Sequence, residues 1–222
     1  MKITFLTLFP EIFNPVLSSS ILGRAQNKGL VEYEVINIRD FGIGNHQVVD
    51  DTPYGGGVGM VLKPDVLAAA VKSVKTDSSL VILTSASGTP YTQKRAREYS
   101  QIKHLIIVCG HYEGVDQRFI DNYVDEEISI GDYVLTGGEL PAMVIADSIT
   151  RLIKGVLEKE EATQQESYEN GLLEHPHYTR PAEFEGQTVP AVLISGDHKK
   201  IAEWKKQESI QKTQKKRPDL FN

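Results

Sequence analysis

Three glycine-dense segments carry the residues best suited to chemistry. They are Asp50-Asp51-Thr52-Pro53-Tyr54-Gly55-Gly56-Gly57-Val58-Gly59-Met60, Cys109-Gly110-His111-Tyr112-Glu113-Gly114-Val115-Asp116, and Ser129-Ile130-Gly131-Asp132-Tyr133-Val134-Leu135-Thr136-Gly137-Gly138-Glu139-Leu140-Pro141. Glycine is costly to order, but it lets the backbone come close to a ligand. Two of the segments directly follow strand-like runs, which suggests a site built where strands end. Any one of them alone reads equally well as a tight turn. The common nucleotide motifs fail: Phe9-Pro10-Glu11 follows the first strand where a dinucleotide fingerprint needs glycines, and Gly59 is followed by Met60 instead of lysine. The six histidines are scattered, and His175 and His177 lack the spacing that puts two ligands on one helical face. The single cysteine, Cys109, excludes a disulfide framework or a cysteine-based metal site within one chain and points to the cytoplasm.

The elements that must position these loops alternate. Strand patterns occur at Lys2–Phe9, Glu32–Ile38, Leu80–Thr84 and His104–Cys109, each short and bounded by turn formers. Helical patterns occur at Pro64–Lys75, Thr92–Gln101 and Pro141–Leu157, the last the most apolar. This order predicts an α/β domain with a mostly parallel sheet. Glu158–Asn170 is polar, has no apolar period and reads as a linker; a proline-rich stretch and a basic helix over His198–Lys216 follow it.

The chain has 222 residues, of which 40% are hydrophobic and 24% charged, an ordinary globular balance. No apolar run is long enough to span a bilayer, and Met1–Leu6 reads as a strand and not as a signal peptide. Net charge is −6, yet residues 195–222 carry eight basic against four acidic side chains. That segment is a candidate phosphate-binding surface; charge alone equally describes a solvated helical tail.

The segments Asp50-Asp51-x-Pro53-Tyr54-Gly55-Gly56-Gly57-x-Gly59-Met60, Gly110-x-Tyr112-Glu113-Gly114-x-Asp116, Ser129–Ala142 and His177-Tyr178-Thr179-Arg180-Pro181 together resemble the bacterial tRNA (guanine-N1)-methyltransferases of the SPOUT superfamily. The resemblance runs over nearly the whole chain, in order. It implies an α/β fold with a parallel sheet and a deep trefoil knot, which no periodicity discloses, plus a small, mainly helical C-terminal domain. The implied domains are 1–157 for S-adenosylmethionine, 158–171 as a flexible linker and 172–222 for tRNA. Implied cofactor residues are Thr84, Ser85, Ala86, Gly110, Tyr112, Glu113, Gly114, Ser129, Ile130, Gly131, Tyr133, Leu135, Gly137, Gly138 and Pro141. Ala86 departs from the proline usual in the family. Glu113 would face the sulfonium, and Asp132 would brace the knot by accepting backbone hydrogen bonds.

Guanine N1 holds its proton at neutral pH, so methylation there needs a base near N1 and a cation or donor near O6. The resemblance assigns these roles to Glu166, where the family has aspartate, and Arg151. It assigns the framing of the target base to Asp50, Pro53, Gly55, Gly56, Gly57 and Gly59, and anticodon-stem contacts to His177, Tyr178, Arg180 and the basic tail. It implies a homodimer with the site at the subunit interface, no membrane, and Mg²⁺ without a dedicated protein cage. Competing readings are a SPOUT enzyme with another target atom, a non-catalytic tRNA-binding protein and a small-molecule nucleotide enzyme. The intact glycine loops weigh against the second. The basic tail and the failed motifs weigh against the third.

Overall fold

The computed structural model describes residues 1–158, 163 and 166–221. The chain divides into two compact units, Met1–Glu158 and Lys159–Asn222. The first unit runs β1 (Lys2–Thr7), α1 (Asn14–Leu17), α2 (Ser20–Asn27), β2 (Glu32–Asn37), β3 (Asp50–Asp51), β4 (Val61–Leu62), α3 (Pro64–Val74), β5 (Ser79–Pro90), α4 (Gln93–Tyr99), β6 (His104–Cys109), α5 (Gln117–Tyr123), β7 (Glu126–Ser129) and α6 (Glu139–Thr150). The second holds the hairpin β8 (Glu183–Phe184) and β9 (Gln187–Thr188), then α7 (His198–Lys216). The linker expected over 158–171 falls partly on residues 159–162, 164 and 165, which lie outside the described residues.

Five strands form one sheet in the order β2-β1-β6-β5-β7, every neighbouring pair parallel. A parallel strand covered on both faces needs apolar residues throughout, and the His-Leu-Ile-Ile-Val-Cys run of β6 is buried from end to end. Leu105, Ile107 and Cys109 join the cluster that contains Leu22 of α2 and Ile145 and Ile149 of α6. Ile106 and Val108 join the opposite cluster with Val66, Leu67 and Val71 of α3 and Phe119 of α5. Cys109 is fully buried, and burial pushes its thiol pKa well up, reinforced by the nearby Glu139 carboxylate.

Pro64 sits in the first turn of α3, where the missing N–H costs nothing. Thr92, Asp116 and Asp197 cap α4, α5 and α7 by accepting the backbone N–H of Arg95, Arg118 and Lys200. Helix α6 is shorter than the expected Pro141–Leu157: it ends at Thr150, and turns follow to residue 158. Gly155 there takes φ of 85°, outside the right-handed helical region. Two tyrosines tie α6 to the sheet, Tyr33 hydroxyl to Thr150 Oγ1 at 2.7 Å and Tyr91 hydroxyl to Ser148 Oγ at 2.7 Å. Burial pushes both phenols up to about 12.

In the second unit, Leu173 N–H donates to Thr213 Oγ1 at 2.8 Å, and Thr213 donates onward to Ser209 O at 2.7 Å. Lys212 Nζ donates to Glu174 O at 2.8 Å. These bonds fix the 173–174 segment against α7.

Below the sheet, His104 bridges Thr4 Oγ1 (Nε2, 2.9 Å) and Ser79 Oγ (Nδ1, 2.7 Å). Burial lowers its pKa, helped by Lys2 and opposed by Glu34 and Glu32. The unfolded chain therefore protonates His104 first as pH falls. The stability carried by the neutral ring is complete above about pH 6.5 and is lost on acidification through the lowered native value. Urea midpoints measured between neutral and mildly acidic pH should fall for the wild type and fall less for His104→Gln. Equal slopes would remove His104 as the cause.

Candidate functional site

The site begins with a break in strand pairing. Thr84 and Thr89 of β5 both face Ile128 of β7, so residues 85–88 bulge out of the sheet. Beside the bulge, β6 ends at Cys109 and β7 at Ser129, each leading into a glycine-rich loop. Three adjacent parallel strands thus release their loops at one edge, where open α/β sheets receive ligands. The loops enclose a cavity of about 460 Å³. Its wall is made by Thr84–Ser87, Gly110–Val115, Glu127–Gly131, Tyr133–Gly138 and Pro141, with Leu83, Gln117 and Ile120. All the residues assigned to the cofactor from the sequence line this one cavity. The sequence reading placed His111 here only as part of the loop Gly110–Gly114 and did not assign Gln117 or Glu127, whose places come from the fold.

Close packing holds the cavity floor. Gly138 N–H donates to Gly110 O at 2.7 Å, and the single Thr84 hydroxyl proton lies between Val108 O at 3.2 Å and Gly138 O at 3.3 Å. A Cβ on Gly138 would lie 2.1 Å from Thr84 Oγ1 and 2.7 Å from Gly110 N. Only glycine fits there. Beneath it, Glu139 is 4% exposed and accepts from Thr7 Oγ1 at 2.8 Å, while His111 Nδ1 stands 3.9 Å from the other carboxylate oxygen. The expectation for Asp132 needs correction: it is exposed, and no backbone hydrogen bond to its carboxylate occurs among the described residues. Ser129 does the bracing instead, its Oγ donating to Gly131 O at 3.0 Å and accepting from Gly131 N at 3.2 Å. A hydroxyl that both donates and accepts can close this turn; a carboxylate cannot.

The first glycine segment is the loop of the β3–β4 hairpin, in which Asp50 pairs with Leu62 and Asp51 with Val61. Backbone hydrogen bonds dock this hairpin on the second loop: Glu113 N to Met60 O at 3.0 Å, Leu62 N to Gly114 O at 3.0 Å and Asp116 N to Leu62 O at 3.2 Å. Gly59, at φ of 87°, lies against Glu113, and a Cβ there would fall 2.4 Å from Glu113 Cγ. Tyr54 and Val58 at the hairpin tip are 100% and 90% exposed. Asp50, Pro53 and the four glycines therefore stand on a hairpin fastened to the cavity's own wall.

Arg151 is half-buried at the C-terminal cap of α6. Glu166 is half-buried in the second unit, where its carbonyl accepts Glu169 N–H at 3.3 Å. Tyr178 and Arg180 are exposed, with Tyr178 6.2 Å from the Trp204 ring. His177 pairs with Glu174 at 2.9 Å. Glu174, His175 and His177 bring possible ligand atoms within 4.8 Å of one another. Among the described residues, no helix is long and apolar enough to cross a membrane.

A parallel sheet with a nucleoside-sized cavity at its strand ends defines an α/β domain that binds a nucleotide-like ligand. The whole chain, residues 1–222, matches the family described as tRNA (Guanine-1)-methyltransferase TrmD, and it belongs to that family. It is 55% identical over 224 residues to the "tRNA (guanine-N(1)-)-methyltransferase" of Bacillus velezensis, covering 100% of this chain and 92% of that protein. The Bacillus subtilis protein of the same name is 53% identical over 224 residues, with the same coverage of both chains. That of Ruminiclostridium cellulolyticum is 53% identical over 225 residues, covering 100% of this chain and 97% of its own.

Gly138→Ala should abolish ligand binding in the cavity and destabilise the first unit by about 1–3 kcal/mol through overpacking. Calorimetric titration with S-adenosylhomocysteine and a urea melt would show it. Normal binding by the variant would mean that the floor can yield.

Proposed function

We propose that the chain transfers a methyl group from S-adenosylmethionine to N1 of the guanosine 3′-adjacent to the anticodon, position 37, of tRNA. The observation that carries this reading is the docking of the glycine hairpin on the cavity wall, which sets a base-framing loop beside a cofactor-sized slot. The cavity fits the cofactor: Ile130, Val134 and Leu135 offer apolar surface for adenine, and Glu113 and Glu127 offer negative charge for a sulfonium. S-adenosylmethionine, when bound, supplies an electrophilic methyl group.

Glu166 takes the N1 proton, which would leave the N1 lone pair free to accept the methyl group that S-adenosylmethionine supplies. Arg151 balances the charge that moves toward O6. The target base leaves its stack to present its Watson–Crick edge, and Asp50, Pro53, Gly55–Gly57 and Gly59 frame it. Exposed His177, Tyr178 and Arg180, with the exposed Lys199, Lys206, Lys215 and Lys216 of α7, hold anticodon-stem phosphates. The enzyme acts where its tRNA is, in the cytoplasm.

The first unit is read as a SPOUT domain with a deep trefoil knot; the close packing of Gly138 against Thr84 and Gly110 is compatible with such a crossing of loops. The exposed apolar Val134, Leu140 and Val144, on α6 and the loop before it, support a homodimer in which Glu166 reaches the site from the second subunit. Mg²⁺ would be shared with substrate oxygens, since among the described residues no cluster of three carboxylates or histidines lines the cavity.

The test is methyl transfer to a tRNA with guanosines at positions 36 and 37, beside the same tRNA changed at 37 and beside Glu166→Gln. Product methylated at N1 should vanish with the changed tRNA, and its rate should fall about a hundredfold or more in the variant. Transfer that survives Glu166→Gln would remove Glu166 as base, and a product methylated at another atom would favour a different SPOUT reaction. Raising salt should weaken tRNA binding steeply in wild type and less after Lys215→Ala with Lys216→Ala, read by filter binding. Equal salt slopes would clear the tail of phosphate contact.

A further inference from the structure

Glu174, His175 and His177 lie on an irregular segment of the second unit, fixed to α7 through Leu173 N–H on Thr213 Oγ1 and Lys212 Nζ on Glu174 O. One ligand atom from each comes within 4.8 Å of the others. His177 Nε2 is 2.9 Å from Glu174 Oε1, and the two imidazole rings are centred 4.7 Å apart. His175 Nδ1 lies 3.0 Å from Pro176 O. A carbonyl only accepts, so this bond puts the proton on Nδ1 and leaves the Nε2 lone pair free to bind. Metal-bound histidines commonly donate their other ring nitrogen to a carbonyl or carboxylate in this way.

We propose that Glu174, His175 and His177 form a binding site for a divalent transition-metal ion of the zinc type. Two imidazoles and one carboxylate are a ligand set zinc accepts in three-ligand sites, with a fourth position open to solvent. Bonds of about 2.0–2.1 Å at tetrahedral angles put ligand atoms about 3.3 Å apart. The Glu174–His177 pair is already near that separation. The wider edge of the triangle must contract by roughly 1.5 Å on the same geometry. The His177 side chain is 65% exposed, which leaves it room to rotate as the triangle closes. The rival reading is an ion pair of Glu174 with His177 and nothing more. This inference shares His177 with the tRNA contacts proposed above but does not rest on the methyl-transfer reading.

Trp204 is the only tryptophan in the chain, and its ring centre lies 6.4 Å from that of His175. A paramagnetic ion at the site would quench its fluorescence. The full chain without a histidine tag is dialysed against micromolar Zn²⁺, and Co²⁺ is titrated while Trp204 emission and the visible spectrum are followed. The expected result is a single tightly held Zn²⁺ per chain, strong tetrahedral Co²⁺ bands and saturable quenching that Zn²⁺ reverses. His175→Ala and Glu174→Gln should each lose at least tenfold in affinity, whereas His198→Ala, outside the cluster, keeps it. No uptake, or uptake unchanged in His175→Ala, would overturn the site and leave the ion pair. Should a variant fail to fold by circular dichroism, the wild-type Co²⁺ spectrum and quenching decide: without bands and quenching the proposal fails.

Discussion

Gly138 lies where three separate stretches of backbone meet. Its amide bonds Gly110, its carbonyl shares the Thr84 hydroxyl with Val108 O, and no side chain fits in the space. The loops after β5, β6 and β7 cannot relax independently, because each rests on another through this contact. The rest of the site follows: the bulge at 85–88, the Ser129 turn and the hairpin docked through Met60 and Leu62 surround a floor fixed by backbone, not by adaptable side chains. Interiors packed this closely do not deform continuously, so the cavity keeps its shape between uses.

Much of this was readable in the residues. The buried β6 announced itself by an unbroken apolar run, α3 by its proline start and apolar stripe, and α7 by a sequence with the same limits as the helix. Strand β7 was not readable, since Glu126 and Glu127 make half of its four residues and only Ile128 and Ser129 are buried. Helices α2 and α5 went unread at eight and seven residues, whereas α4, also seven residues, was legible within the wider Thr92–Gln101 pattern. The glycine loops marked the cavity wall, but their meeting around one space depends on strand order, and local pattern does not encode strand order. Chemical identity came from long motifs and whole-chain similarity; the positions of Gln117, Ile120 and Glu127 on the wall came only from three dimensions.

The charge of the C-terminal segment also looks different in the structure. Lys200 pairs with Asp197, Arg217 with Asp219, and Lys212 is spent on the carbonyl of Glu174. What remains for a polyanion is a smaller set, chiefly Lys199, Lys206, Lys215 and Lys216, all exposed on α7. The side chains that organise the second unit and those available to a ligand are therefore different ones, although composition counts them together.

Cys109 closes the central strand with its thiol fully buried and its ionisation suppressed. Thiol reagents attack the thiolate of an accessible cysteine, and this one offers neither charge nor access while the sheet is intact. The native protein is in effect a cysteine-free background for maleimide chemistry. A cysteine introduced at an exposed position, such as the Val58 hairpin tip or Lys206 of α7, would be the only point of attachment, with the core left unaltered.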